Sequence, residues 1–561
     1  MIAALSKKEW WLLGGLLLVF LLVRLPGLHQ PYHQDEYKLA FIVEEGSAKV
    51  GGITHPPLNE LTYRAADRLF GNDNLRFVPL IFSLINAILL FFFVRWRYGL
   101  RAAYWALTFF AVAYYSVLSS VMADIDGAVL PFIFLCAAFV YYRAVESASL
   151  RSAAPWVVGF VALVAAGFLM KLSFVVTLGA FVFDYAIMRR RSFTLRQGGL
   201  FLLGCAAIAL LCIGVILLVQ YLVPAFNITR SATYWKNFIR FADRNYFQTL
   251  IQLVKALLYV SPLLLLPLAL MRREDWARLR LYFCFLGTGL VFYLVLFDFS
   301  SGALDRYLQF MVVPLAVIGG ALLARVDFTE VLRRPANIVL GLILPATLLF
   351  MVQLLPHAVP PLHPKTEWIT RLLALKWNFL FPFSGGSGPL GFYVSFLLIA
   401  LAFLLGLALA IWLWRRSRVT PWAVAGMLAL GLTYNLAFIG EYQLGLVNGH
   451  SATLLPHALA YIREANDIPT VITYNDIGTY ELTHMGKHKQ RLYVAPMFEE
   501  GNRETLRDYY GDYLVLDIPR LNPEGFQAKF FATCAVKYED RSRAITARVY
   551  DCRNGDRSLI P

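Results

Sequence analysis

Charge is what this chain has least of. Asp, Glu, Lys and Arg supply 16% of its 561 residues, against roughly 25% in a soluble protein, while the hydrophobic share of 59% exceeds the soluble range of about 45–50%. A soluble enzyme is excluded, and the chain reads as a membrane protein. It is short of cysteine too, with six and none in a CxxC pair. Neither a P-loop nor HExxH occurs, so a phosphate-cradling loop and a metalloprotease centre both lack their residues. No segment repeats another. The net charge of +15 sits in short clusters between apolar runs rather than along one face. That distribution fixes membrane topology and gives no footprint for nucleic acid. The first apolar run, 10–23, is not followed by a small-residue cleavage site, so it is expected to stay as a helix rather than leave as a signal peptide.

Runs of about 20 apolar residues read as spans. Thirteen are expected, at 10–25, 77–94, 103–119, 128–142, 155–170, 172–188, 199–223, 255–271, 281–297, 307–324, 337–355, 391–414 and 421–439. With Lys7 and Lys8 inside, strict alternation brings six further clusters to the same face, from Arg95, Arg97 and Arg101 through to Arg415, Arg416 and Arg418. One span too many or too few would send every later cluster outside, so the clusters check the count. The expected fold class is an all-α polytopic membrane domain over 1–439, with external loops 26–76, 224–254 and 356–390. A small soluble α/β domain is expected to follow at 440–561. In that tail "PHALAYIREAND" reads as helix, and "PTVITY", "RLYVA", "YLVLD" and "AITARVYDC" read as strands. Cys534 and Cys552, on neighbouring expected strands in an oxidising compartment, are expected to pair.

The candidate chemistry gathers on the outer face. In "HQDEY" Asp35 is a candidate general base or metal ligand, with Glu36 orienting a neighbour and Lys38 holding an anion. The plainer alternative is that both acids serve the positive end of a helix starting there. "THPPLNELTYRAADRLFG" has two prolines and then leucines at helical spacing, an amphipathic helix along the membrane surface that carries His55 to headgroup depth. Asp124 and Asp126 flank the start of the fourth span; one is expected to cap it and the other to be a second site carboxylate. Lys171 lies between two short spans with no other charge from Trp156 to Phe183. An ammonium there must snorkel or meet an anion, and a phosphate is a natural one. Arg306 and Tyr307 stand at the outer end of the tenth span, where arginine suits bidentate phosphate contact. His29, His33 and His55 could join the carboxylates around a divalent ion, but no ligand spacing is diagnostic. Such a pocket suits a substrate with a phosphate at headgroup depth and an apolar tail in the bilayer.

These elements in this order resemble the GT-C superfamily of polyprenyl-phosphate-dependent membrane glycosyltransferases. The likeness is to the branch holding protein O-mannosyltransferases and lipid A aminoarabinose transferases. It rests on the DE pair after the first span (Asp35, Glu36), the HPPL helix (His55 to Leu58), the Asp before an apolar helix (Asp126), the lone Lys171, and Arg306-Tyr307 leading to Pro314. The motifs cover residues 1 to about 325, and the layout of thirteen spans with an external C-terminal domain extends over the whole chain. The resemblance implies that Asp35 activates an acceptor hydroxyl. It implies that Lys171 and Arg306, helped by Arg240 or Arg244, stabilise the departing polyprenyl phosphate, with inversion at the anomeric carbon.

There are departures. Thr54-His55 stands where the aminoarabinose transferases have Glu-Lys, and Lys38 where they have Arg, so lipid A aminoarabinose is not assigned as the reaction. The expected partners are a polyprenyl-phosphate sugar donor, a lipid, glycan or protein acceptor, and membrane lipids. The expected location is the inner (plasma) membrane, with the N-terminus cytoplasmic and the C-terminal domain periplasmic. A transporter or flippase of lipid-linked sugars, and a non-catalytic polysaccharide assembly protein, are the rival readings. Transporters gather ionisable residues near the midplane in paired halves, whereas here the charges gather at one surface and the halves do not repeat.

Overall fold

A computed structural model describes residues 5–32, 34–46, 56–189, 195–223, 226–239, 244–298, 307–354, 370–377, 379–383, 391–415, 420–474, 477–492, 499–516, 521 and 523–561. Nine of the helices described are long and apolar enough to cross a membrane. A bent pair, Leu100–Val112 with Tyr114–Ser120, adds a tenth, and Val129–Val145, Arg280–Leu296 and Leu308–Leu323 are shorter apolar helices. Between them they occupy every one of the thirteen expected positions. The chain is a multi-pass membrane protein. It divides into two compact units, one of residues 1–24, 39–338 and 408–428, the other of 25–38, 339–407 and 429–561.

In the first unit, α1 (Lys7–Leu22) opens on a capping box, with Ser6 and Glu9 bonding each other's backbone N–H. The helix α2 (Gln34–Glu45) follows; its first turn, with Asp35 and Glu36, belongs to the second unit. Pro57 heads α3 (Pro57–Phe70), where its missing N–H costs nothing. Asn59, Tyr63 and Ala66 of α3 face the protein, while Leu61 and Leu69 stay exposed. The helix is thus amphipathic, with one apolar stripe left uncovered by the protein.

The third expected span is broken. After α4 (Phe77–Tyr98), α5 (Leu100–Val112) ends where Ala113 turns extended, and α6 (Tyr114–Ser120) leaves at 65°. A break frees carbonyls, and inside a membrane they must find donors. Arg24, fully buried, supplies them. It donates Nη1 to Phe20 O (2.9 Å) and Ala111 O (2.7 Å), Nη2 to Phe110 O (3.2 Å) and Ser116 Oγ (2.9 Å), and Nε to Ser120 Oγ (2.9 Å). All five guanidinium donors are used. The bundle continues through α7 (Val129–Val145), α8 (Leu150–Met170), α9 (Val175–Arg189), α10 (Leu195–Leu222), α11 (Ile228–Phe238), α12 (Tyr246–Leu265), α13 (Asp275–Arg278), α14 (Arg280–Val291) and α15 (Val312–Leu323).

In the second unit, α16 (Leu344–Leu354) precedes a hairpin of β1 (Leu380–Phe383) and β2 (Phe392–Ser395), then α17 (Phe396–Arg415) and α18 (Pro421–Leu444). The expected twelfth span therefore begins about five residues late, because 392–395 pairs as strand. After α18 come α19 (Ser451–Glu464), β3 (Val471–Tyr474), α20 (Thr479–His484), β4 (His488–Leu492), α21 (Glu499–Asp508), β5 (Asp512–Leu516), α22 (Phe526–Phe531), β6 (Ala535–Ser542) and β7 (Ile545–Asp551). The sheet runs β4-β3-β5-β7-β6, parallel from β4 to β5 and antiparallel beyond. Strand alternation sends Val471, Leu514, Leu516, Ala547 and Val549 against Leu455, Leu459 and Ile462 of α19. The opposite face sets Ile472, Tyr513 and Tyr550 against Leu506, Phe530 and Phe531, with the disulfide Cys534–Cys552 (Cα–Cα 4.6 Å) at its edge.

The link from α18 to the sheet is tight. Buried Glu441 accepts from the backbone of Val447 (2.9 Å) and Asn448 (3.1 Å), and Asn448 bridges to Tyr393 O and to the N–H of Ala544, each at 3.1 Å. Gly449 has φ +112°, and a Cβ there would meet Ser542 O, so only glycine lets the turn lie on the β6–β7 end.

Candidate active site

The loop between α6 and α7 delivers the two acids. Asp124 accepts from the N–H of Ile125 (2.8 Å), the backbone service expected of one member. Asp126 forms a buried ion pair with Lys171, which stands at the end of α8. Their side chains are 7% and 10% exposed. The Tyr307 ring lies 5.2 Å from the Lys171 ammonium. Lys171 is therefore already neutralised by a carboxylate. The first unit thus holds a charge-balanced pair under an aromatic ring.

Two contacts hold this loop. Asn86 of α4 donates to Ala128 O (2.7 Å), and Gly127 lies so close to Ser119 and to the Gln309 carboxamide that a Cβ would collide with both. Beside the pair, a narrow crevice is lined by Asp126, Ser173, Thr177, Tyr293 and Tyr307, and by the phenyl groups of Phe134, Phe285 and Phe310. The Tyr293 and Tyr307 rings are 5.6 Å apart. A carboxylate, two hydroxyls, two phenols and several phenyl and aliphatic groups line the crevice together, a mixed lining that suits a ligand with both polar and hydrocarbon parts.

Gln309, 2% exposed, has neither its amide nitrogen nor its oxygen in a hydrogen bond. Such a group costs about 1–3 kcal/mol. Sequence reasoning passed over it, together with Arg24, Tyr293 and Phe310. Its one signal was an amide two residues past Tyr307, in a run otherwise apolar.

Arg244 of the 224–254 loop is buried, and its guanidinium donates to the carbonyls of Val295 (2.7 Å) and Phe297, with Asp298 3.7 Å away. It ties the loop to the end of the helical stretch after α14. His55, Arg240 and Arg306 lie outside the described residues, as does His33. Among the described residues no group of three His, Cys, Asp or Glu side chains is placed to hold a metal ion.

Asp35, Glu36 and Lys38 belong to the second unit. Asp35 is half-exposed at the positive end of α2 and pairs with Lys38 one turn on (3.2 Å), whereas Glu36 is buried. The chain leading to this turn is anchored within the same unit. Gln30 donates to Tyr442 O (3.1 Å) with the His450 ring 3.5 Å away, and the Tyr32 ring meets Tyr480 edge-on at 5.7 Å.

The profile of the family described as dolichyl-phosphate-mannose-protein mannosyltransferase matches residues 54–218, a stretch that holds Asp126 and Lys171 but not Asp35 or Arg306. Beyond that stretch the likeness is one of fold, and it extends over the whole chain. In particular the chain is similar to ArnT from Cupriavidus metallidurans. The apo structure superposes with a TM-score of 0.56 at 15% identity, over 99% of this chain and 100% of that one. The form bound to undecaprenyl phosphate gives 0.53 at 15%, over 97% and 98%. No curated protein sequence matches the chain.

Proposed function

We propose that the protein transfers a sugar from a polyprenyl-phosphate donor to a lipid, glycan or protein acceptor at the outer face of the inner membrane, with inversion at the anomeric carbon. One observation carries the reading: the buried Asp126–Lys171 pair beneath Tyr307, beside a crevice lined by polar and aromatic side chains together. The ArnT structure with undecaprenyl phosphate supports a ligand of that chemistry for this fold. The arginine clusters that alternate to one face support a cytoplasmic N-terminus and a periplasmic C-terminal domain.

In the proposed step the acceptor hydroxyl oxygen bonds to the anomeric carbon. The carbon–oxygen bond to phosphate breaks, its electron pair leaving on the phosphate, and Asp35 takes the hydroxyl proton. Glu36 orients its neighbour, and Lys38, beside Asp35, holds an anionic group. As the phosphate departs it gains charge, and Lys171, shared until then with Asp126, turns its remaining N–H bonds toward it. Arg306 and Arg240 add donors from the connecting loops, His55 meets the headgroup from the surface helix, and Tyr307 covers the site. Arg244 acts by fixing its loop. The sequence holds histidines and carboxylates for a divalent ion in the first loop, but every step above is carried by side chains of the chain itself.

The test is Asp35→Asn, followed by transfer of labelled sugar from native membrane donor lipid. Transfer is expected to vanish while folding and lipid binding persist, and unchanged transfer removes Asp35 from the mechanism.

A further inference from the structure

The external α/β domain has no part in the chemistry proposed above, yet the segment that carries Asp35 is built into its unit. Residues 25–38 fall in one compact unit with 339–407 and 429–561. Tyr32 and Gln30, each 7% exposed, are the two buried side chains that approach Asp35 most closely along the segment from the N-terminal side with defined partners. The ring of Tyr32 meets Tyr480 of α20 at 5.7 Å, and Tyr480 in turn stacks on His484 at 4.4 Å. The Gln30 carboxamide donates to Tyr442 O at the end of α18 and lies 3.5 Å from His450, in the turn that joins α18 to α19. That turn is itself locked by Glu441, Asn448 and Gly449.

We infer that Tyr480, seconded by His450 and Tyr442, positions the candidate base: the C-terminal domain is a platform that fixes where α2 begins. The physical reason lies in the first turn of a helix. Its N–H groups lack intrahelical partners and it frays unless the preceding chain is held. Asp35 stands in that turn, three positions past Tyr32, so freeing Tyr32 loosens the carboxylate. A misplacement of about 1 Å is enough to cost a proton transfer or attack about a hundredfold. Tyr480 and His450 are positioning residues, since they act through the segment and touch no substrate.

The inference rests on Asp35 as the base, and two readouts keep the two ideas apart. The first is hydrogen exchange of full-length protein in lipid nanodiscs, followed on peptides covering 28–38. Tyr480→Ala is expected to speed exchange there by about threefold to tenfold, the loosening that follows loss of one aromatic pair. Tyr480→Phe, which keeps the ring contact, is expected to leave it unchanged. Tyr32→Ala removes the same pair without touching the domain and must give the same local acceleration, so damage to the sheet cannot imitate the result. Unchanged exchange at 28–38 in Tyr32→Ala, or acceleration in Tyr480→Phe equal to that in Tyr480→Ala, overturns the platform. The second readout is sugar transfer: in the Ala variants the turnover number falls about tenfold or more while KM for donor lipid stays put. If exchange at 28–38 accelerates and turnover does not change, the tether stands and the role of Asp35 falls.

Discussion

Replacing Lys171 by Met keeps most of the stem and removes the charge. Asp126 would then be left 7% exposed in the bundle with its partner gone. Breaking one side of a buried pair costs about 3–5 kcal/mol, because the remaining charge is desolvated and uncompensated. Removing both charges, in Lys171→Met with Asp126→Asn, leaves no uncompensated buried charge and recovers most of that loss. The two states of the pair therefore separate structure from function. Thermal unfolding in detergent should show the single variant strongly destabilised and the double variant restored. Transfer should follow a different pattern: loss of a cation that meets the departing phosphate costs about 100-fold to 1,000-fold, and that loss should persist in the double variant. Near-parental transfer by the restored double variant would refute the reasoning and reduce the pair to a strut between the α6–α7 loop and α8.

Gln309→Leu should raise stability by about 1 kcal/mol, since it removes a buried amide with no partner; thermal unfolding checks this, and destabilisation would mean that the amide has a structural partner. Gly127→Ala forces a methyl into Ser119 and Gln309 and should cost about 1–3 kcal/mol, read by the same assay, with transfer falling because Asp126 is the next residue. Cys534→Ser opens a link across 18 positions and should weaken the C-terminal sheet by about 3 kcal/mol, measured by denaturant unfolding with exchange on 471–551 as the probe. Lys537→Met should destabilise that sheet in a pH-dependent way. Lys537 lies 3.0 Å from fully buried Asp512, whose carboxyl burial pushes above its ordinary range despite Lys537 and Arg553. An acid with a raised folded pKa loses folding stability as pH climbs past its unfolded value. The defect should therefore be small at acid pH, where Asp512 is protonated in both states, and grow toward neutrality.

Hydropathy and arginine placement gave the membrane layout, because both report on the bilayer rather than on particular contacts. Helix breaks were harder to read. Nothing local announces Ala113 as a bend, since its cause is Arg24, nearly ninety positions earlier in the chain, whose guanidinium caps Phe110 and Ala111. The run beginning at Phe392 is as apolar as a span, and only pairing with Leu380–Phe383 makes its first residues a strand. In the tail, β3, β5 and β7 were legible as β-branched and aromatic runs. The edge strand β6, "AVKYEDRS", has no fully buried side and gave no hydrophobic signal. At the candidate site, sequence named residues but could not show their partners. Lys171 looked like an isolated cation, yet it pairs with Asp126, and Arg244 looked like a phosphate ligand, yet its donors meet backbone carbonyls. Partner identity is a matter of long-range packing, which one chain without its fold does not display.

Native mass spectrometry of the purified protein, scanned for lipid that stays bound, asks most directly whether this bundle is made for a polyprenyl phosphate. An isoprenoid phosphate should be retained by the parent protein and lost from the well-folded Lys171→Met, Asp126→Asn double variant. Retention of ordinary phospholipid alone, or an isoprenoid phosphate bound equally by both proteins, would contradict the account.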